Sequence, residues 1–267
     1  MAIVTRMRVL ALLGFAGSFV CGPALAGEVR CWIDHGAVVV AAAFGDIAGD
    51  FILDASAPRS QLHVTQAQGD GIDAPGARRP LTVAGERLAA FDMDIVDLDE
   101  RTRVFDTTIN GVIGADLLRR YVVDIEFAPC RIRLSHRAPK RRTGAARLAT
   151  RDIDGVPTIR AVISDGQQSR AGDFAIDTGR AASQITGATL SRSPKPGADP
   201  PTRLRALVVG GRLFEQIPAE LSTTRDAIGM AVWTQGRVRL NLRDGWIELV
   251  SSPLWGGSSR EATGVGK

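Results

Sequence analysis

The chain has 267 residues, with 33 Lys and Arg set against 29 Asp and Glu, a formal charge of +4. That balance is too even to define a nucleic-acid-binding surface on charge alone. The three histidines, His35, His63 and His136, are scattered without ligand spacing and no cysteine pair lies near them, so neither a metal nor a cofactor is expected.

In chain order, residues 1–26 come first as a separate unit. Arg6 and Arg8 precede the apolar run from Val9 to Val20, and Ala24-Leu25-Ala26 follows, the layout of a secretory signal cleaved after Ala26. Gly14 and Gly17 interrupt the run, which is short for a bilayer crossing. Val20 before Cys21 is not the small residue that lipid attachment asks for. The expectation is an exported protein, periplasmic or secreted, with no stable membrane insertion once the signal is removed. Two arginines and no acid leave with the signal. What remains is long enough for one large β domain or two smaller ones. It keeps Cys31 and Cys130, for which an oxidising compartment favours a single disulfide, two buried free thiols being the alternative.

The mature chain repeats itself. Ala48-Gly-Asp-Phe-Ile-Leu-Asp54 returns as Ala171-Gly-Asp-Phe-Ala-Ile-Asp177, and Ser60-Gln-Leu62 returns as Ser183-Gln-Ile185. Further on, Gly111-Val-Ile-Gly114 is answered by Asp226-Ala-Ile-Gly229. From there Val123, Ile125, Ile132 and Leu134 match Val238, Leu240, Ile247 and Leu249 without a gap. Apolar residues alternating with charges at period two mark half-buried strands, and Gly85 and Gly211 fall at hairpin turns. Only Ala115–Tyr121 and Met230–Gln235 read as short helical turns. The organisation is therefore a signal (1–26), an N-terminal lobe (27–134), a basic linker (135–154), a C-terminal lobe (155–252) and a Gly- and Ser-rich tail (253–267) expected to be disordered. The arginines of the linker lack interleaved aromatics and read as a solvated segment, so no nucleic-acid partner is expected.

Each repeat carries an apolar strand that ends in an acid followed by small residues: Leu53-Asp54-Ala55-Ser56 and Ile176-Asp177-Thr178-Gly179. An acid at the end of a buried strand is costly unless its charge is satisfied or neutralised, so its recurrence in the same frame asks for a reason. Two carboxyls brought together cannot both ionise cheaply, and a pair sharing one proton can activate a water and support an oxyanion at once. Neither a Gly-x-Ser-x-Gly elbow nor a phosphate-binding Gly-rich loop with Lys occurs.

Asp177-Thr178-Gly179 and Ala227-Ile228-Gly229, with Asp54-Ala55-Ser56 and Val112-Ile113-Gly114, resemble the paired acid loops and apolar-Gly segments of pepsin- and retropepsin-like aspartic proteases. The resemblance spans nearly all of the mature chain. It implies an all-β, bilobal acid-protease fold with pseudo-twofold symmetry and a cleft between the lobes. It further implies Asp54 and Asp177 as a catalytic dyad supported by Ala55, Ser56, Thr178 and Gly179, with Gly114 and Gly229 structural. The implied activity is an aspartic-type endopeptidase acting on peptides or unfolded protein, with no cofactor. The chain departs from the family pattern at Ala55, where a hydroxyl residue is usual, and at Ser56, where Gly is usual and where a positive φ would strain the turn. The alternative is therefore a degenerate, peptide-binding protein of the cell envelope on the same scaffold. Candidate flaps are Gly69–Pro80 and Ser191–Pro201. A covalent duplication already supplies the two-fold relation, so a monomer is expected.

Overall fold

The computed structural model describes residues 28–166, 168–187 and 203–251. The signal segment, the second candidate flap (191–201) and the tail (253–267) lie outside the described residues.

Two β-units with the same pairing plan occupy the two halves of the chain. In the first, strand Ala37–Phe44 pairs antiparallel with Ile47–Leu53, which runs parallel to Ile109–Ile113. Gln61–His63 lies antiparallel to Ile109–Ile113 and parallel to Glu86–Val96, itself in a hairpin with Gly76–Val83. In the second, Val156–Ser164 pairs with Ser169–Ile176, which runs parallel to Ala227–Ile228. Ser183–Thr186 lies antiparallel to Ala227–Ile228 and parallel to Arg212–Ser222, which turns back onto Arg203–Val209. The hairpin turns at Ala84-Gly85 and Gly210-Gly211 all have positive φ, as two-residue turns matching strand twist require. Apolar residues recurring at period two explain the strands: Leu81 and Val83 are buried while Arg78 and Thr82 face out. Fully buried Phe51, Leu53, Phe174 and Ile176 anchor the two acid-bearing strands in one continuous core.

A third sheet joins the halves. Its order is Glu28–Asp34, Cys130–Ser135, Val122–Phe127, Gly236–Asn241, Trp246–Ser251 and Ala146–Ile153, three strands from each half. The pseudo-axis passes between the two central strands, where Val123 faces Leu240, Asp124 faces Arg239 and Ile125 faces Val238. Arg239, 3% exposed, donates to Asp124 at 2.9 Å and to Glu248 at 2.9 Å, so a buried charge is satisfied across the axis. The lobes also touch through their first turns. A Cβ on Gly36 would meet that of Ala181 at 2.3 Å, and one on Gly155 would meet Pro58 at 3.2 Å.

Cys31 and Cys130 form a disulfide, with Cα atoms 4.9 Å apart, that ties the first strand to the hairpin ending the first half. The basic linker is shorter than the sequence implies, because Ala146–Ile153 is an edge strand of the joining sheet. Its arginines are not simply solvated either. Arg147 stacks on Trp246 at 3.9 Å and donates to fully buried Glu248, while Arg142 donates to Asp124 at 2.7 Å. The short helical turns fall at Ala115–Leu118 and Met230–Trp233, and two further short helices, Val64–Gly69 and Asp99–Thr102, appear in the first half.

Candidate active site

Strand Ile47–Leu53 delivers Asp54 and strand Ser169–Ile176 delivers Asp177, and the same frame fixes both. The Asp54 N–H donates to the Ile113 carbonyl at 2.9 Å and the Asp177 N–H to that of Ile228 at 3.0 Å. The hydroxyl of Ser60 accepts from the Gly114 N–H at 2.9 Å, and that of Ser183 from the Gly229 N–H at 3.1 Å. Gly114 and Gly229 are glycines for space. A Cβ would come within 2.6 Å of the Arg59 carbonyl in one case and 2.4 Å of the Ala182 carbonyl oxygen in the other. Asp116 secures Ser60 further by accepting from its N–H and hydroxyl, at 3.0 and 2.7 Å; Ala231, in the second half, offers no such acceptor.

The two acid loops meet. The Thr178 hydroxyl donates to the Leu53 carbonyl at 2.7 Å and accepts from the Ala55 N–H at 3.0 Å, while the Thr178 carbonyl accepts from the Val38 N–H at 3.1 Å. A Cβ on Gly179 would lie 2.9 Å from Cγ of Asp54. Asp54 and Asp177 are 3% and 2% exposed, so both carboxyls sit below the surface of the cleft between the lobes. Oδ1 of Asp54 accepts from both the N–H and the hydroxyl of Ser56 at 2.7 Å, and Oδ1 of Asp177 accepts from the Gly179 N–H at 2.8 Å. Burial, and then the charge of Asp54, push the Asp177 carboxyl up to about 7, so it keeps its proton well above the usual carboxylate range.

The expected strain at Ser56 is not found. Neither Ser56 nor Gly179 has a positive φ. The first loop is therefore not strained by its serine, whose hydroxyl is used on the acid. Gly179 is required by proximity to Asp54 and to Arg101, whose Nη2 would be 2.7 Å from a Cβ there.

Arg101 has no forewarning in the motifs. Its Nη2 donates to Oδ2 of Asp54 at 2.5 Å. It stands on helix Asp99–Thr102, which Leu98 and Phe105 bracket by packing into the apolar cluster of Val39, Ile52, Ile109 and Val112. Segment 97–106 thus brings a side chain of the first half onto the acids. Within Gly69–Pro80, residues from Gly76 onward belong to a strand and Asp70 is ion-paired with Arg79. Beside the pair opens a groove of about 550 Å³ whose lining includes Arg101, Arg103, Phe105, Gly179, Arg180 and Glu220. Arg180 Nε lies 4.0 Å from Oδ2 of Asp177.

The histidines are not all surface residues. His63 is buried, caps helix Val64–Gly69 by accepting at Nδ1 from the Thr65 N–H at 3.3 Å, and faces Asp99 through Nε2 at 3.0 Å. Both ring nitrogens are thereby engaged by the protein.

No protein-family model matches the chain, and no curated protein matches it. Among solved structures, the chain is similar to the aspartic proteinase from Irpex lacteus, with a TM-score of 0.57 over 88% of this chain and 99% of that one, at 12% identity. The fold is that of the acid proteases: all-β, bilobal and pseudo-twofold symmetric.

Proposed function

We propose that the protein is an aspartic-type endopeptidase that hydrolyses peptide bonds with a water activated between Asp54 and Asp177. One observation carries this reading: two buried carboxyls, one from each lobe, share a site in which Asp177 is pushed up to about 7 while Asp54 is surrounded by donors. That is the singly protonated state the chemistry needs. Ionised Asp54 takes a proton from a water lying between the acids as the oxygen attacks the peptide carbonyl. Protonated Asp177 donates to the carbonyl oxygen as it gains charge, and proton return to the amine completes cleavage. Asp54 and Asp177 are catalytic, Thr178, Gly179, Ala55 and Ser56 shape the loops, and Gly114 and Gly229 let the lobes' frames close. The substrate is an extended peptide or unfolded protein lying in the cleft, the working form is a monomer, and the compartment is outside the cytoplasm.

A second reading, a peptide-binding protein that does not cleave, is favoured by Arg101 resting on Asp54 and by the missing hydroxyl at Ala55. The experiment incubates the full chain with a denatured protein from about pH 3 to about pH 8, with and without a statine-type inhibitor, beside Asp177→Asn. Cleavage that declines as pH rises through about 7, is blocked by the inhibitor and is lost in the variant supports the peptidase. Saturable peptide binding without turnover at any pH supports the second reading.

A further inference from the structure

The two acids do not have equivalent surroundings, and the difference centres on Arg101. Asp54 receives three donors: the Ser56 N–H and hydroxyl on Oδ1 and the Arg101 guanidinium on Oδ2. A proton placed on that carboxyl would remove the charge that these donors stabilise. Among the described residues, Asp177 receives only the Gly179 N–H within hydrogen-bond distance, since Arg180 stands 4.0 Å off and is half exposed. The charged groups facing the pair are thus Arg101 from the short helix and Arg180 from the second loop. The groove beyond adds Arg103 and His35 against Asp97, Glu100 and Glu220.

Arg101 is itself held. Its Nε is buried without a hydrogen-bond partner, so its own polar contacts beyond Asp54 do not fix it and the placement falls to the helix that carries it. The helix that carries it begins at Asp99, which meets the buried ring of His63 at 3.0 Å. Because the Thr65 N–H donates to Nδ1, the proton of the neutral ring sits on Nε2 and points at Asp99. Asp97 is the other acid close to that ring.

We propose that Arg101 is a third member of the acid pair, fixing its negative charge on Asp54 and leaving the proton on Asp177, and that His63 positions it through Asp99. This rests on the peptidase reading for its purpose but not for its test. The guanidinium assigns the roles in advance: Asp54, which it contacts, is the base and Asp177 the acid. The neutral end of the one-proton range is set by the burial of Asp177 and the charge of Asp54, which outweigh the lowering that Arg101 exerts on Asp177.

The test is a carboxyl-carbon NMR titration of the full chain, assigned with Asp54→Asn and Asp177→Asn, for the wild type, Arg101→Gln, Arg101→Lys and His63→Phe. Cleavage is measured across the same range. Arg101→Gln keeps a donor and removes the charge; the lower titration midpoint of the pair should rise by about one pH unit or more, a tenfold gain in proton affinity. Arg101→Lys should restore most of that change. His63→Phe should move the midpoint the same way by less, where a merely structural role would lower the melting temperature and leave it fixed. Midpoints unmoved in Arg101→Gln overturn the proposal, as does faster cleavage by that variant with unmoved midpoints, which would make Arg101 a plug. Shifted midpoints in a protein that never cleaves peptides sink the peptidase reading and leave the charge assignment standing.

Discussion

The two acid loops occupy equivalent places and do unequal work. The second loop supplies the cross-lobe bonds at the acids: the Thr178 hydroxyl holds Leu53 and Ala55, and its carbonyl holds Val38. The first loop returns none of these. Ala55 has no hydroxyl, and Pro157, which like Val38 is the second residue of its strand, has no N–H to donate. The first loop contributes charge placement instead, through Ser56 and Arg101 on Asp54. Pseudo-symmetry here preserves the frame while dividing two tasks, holding the lobes and setting the acids, between its halves.

The largest effect that sharpens this comparison concerns pH. Asp177 binds its proton more tightly in the folded protein than in the unfolded chain, so the native state carries the extra proton and stability falls as pH rises from about 4 to about 7. Asp177→Asn removes a group worth a few kcal/mol of that slope, and the melting temperature of the variant should be nearly flat over the interval. Asp54→Asn should only lessen the slope, because burial still acts on Asp177 when its charged neighbour is gone. A wild type whose stability is flat there would remove the evidence for a shared proton.

Next is the contrast between Gly179 and Ser56. Gly179→Ala forces a methyl against Asp54 and Arg101, and cleavage should fall on the order of a hundredfold with little loss of folding. Ser56→Gly, which gives the first loop the residue of the acid-protease pattern, removes one hydroxyl bond and should cost far less; equal losses would break the comparison. The smallest effect is in stability. Thr178→Val leaves the buried Ala55 N–H without its acceptor, an expected loss of about 1–3 kcal/mol in urea unfolding. Ala55→Ser should recover none of it if the loops are as unequal as their bonds.

The repeat was legible because both copies must bury the same strand, end it in the same acid and bring a glycine against the same carbonyls. Those constraints fall on side-chain volume and are written at fixed offsets. Arg101 was not legible, since a four-residue helix has no apolar period of its own. Its position follows from Leu98 and Phe105 packing on a cluster assembled from distant strands, and from a histidine far earlier in the chain. Strand Ala146–Ile153 was hidden for a related reason: its arginines read as solvated, and the buried Glu248 that receives one of them lies near the far end of the second half.

The joining sheet has a consequence for how the molecule could be taken apart. Each half contributes three neighbouring strands, and the central contact is a run of backbone bonds across the pseudo-axis backed by the part-buried Asp124–Arg239 pair. The peptide between Ser135 and Ala146 is then a tether and not a hinge. Chain fission there would leave two polypeptides that remain clasped as a heterodimer, each bringing one acid to a composite centre.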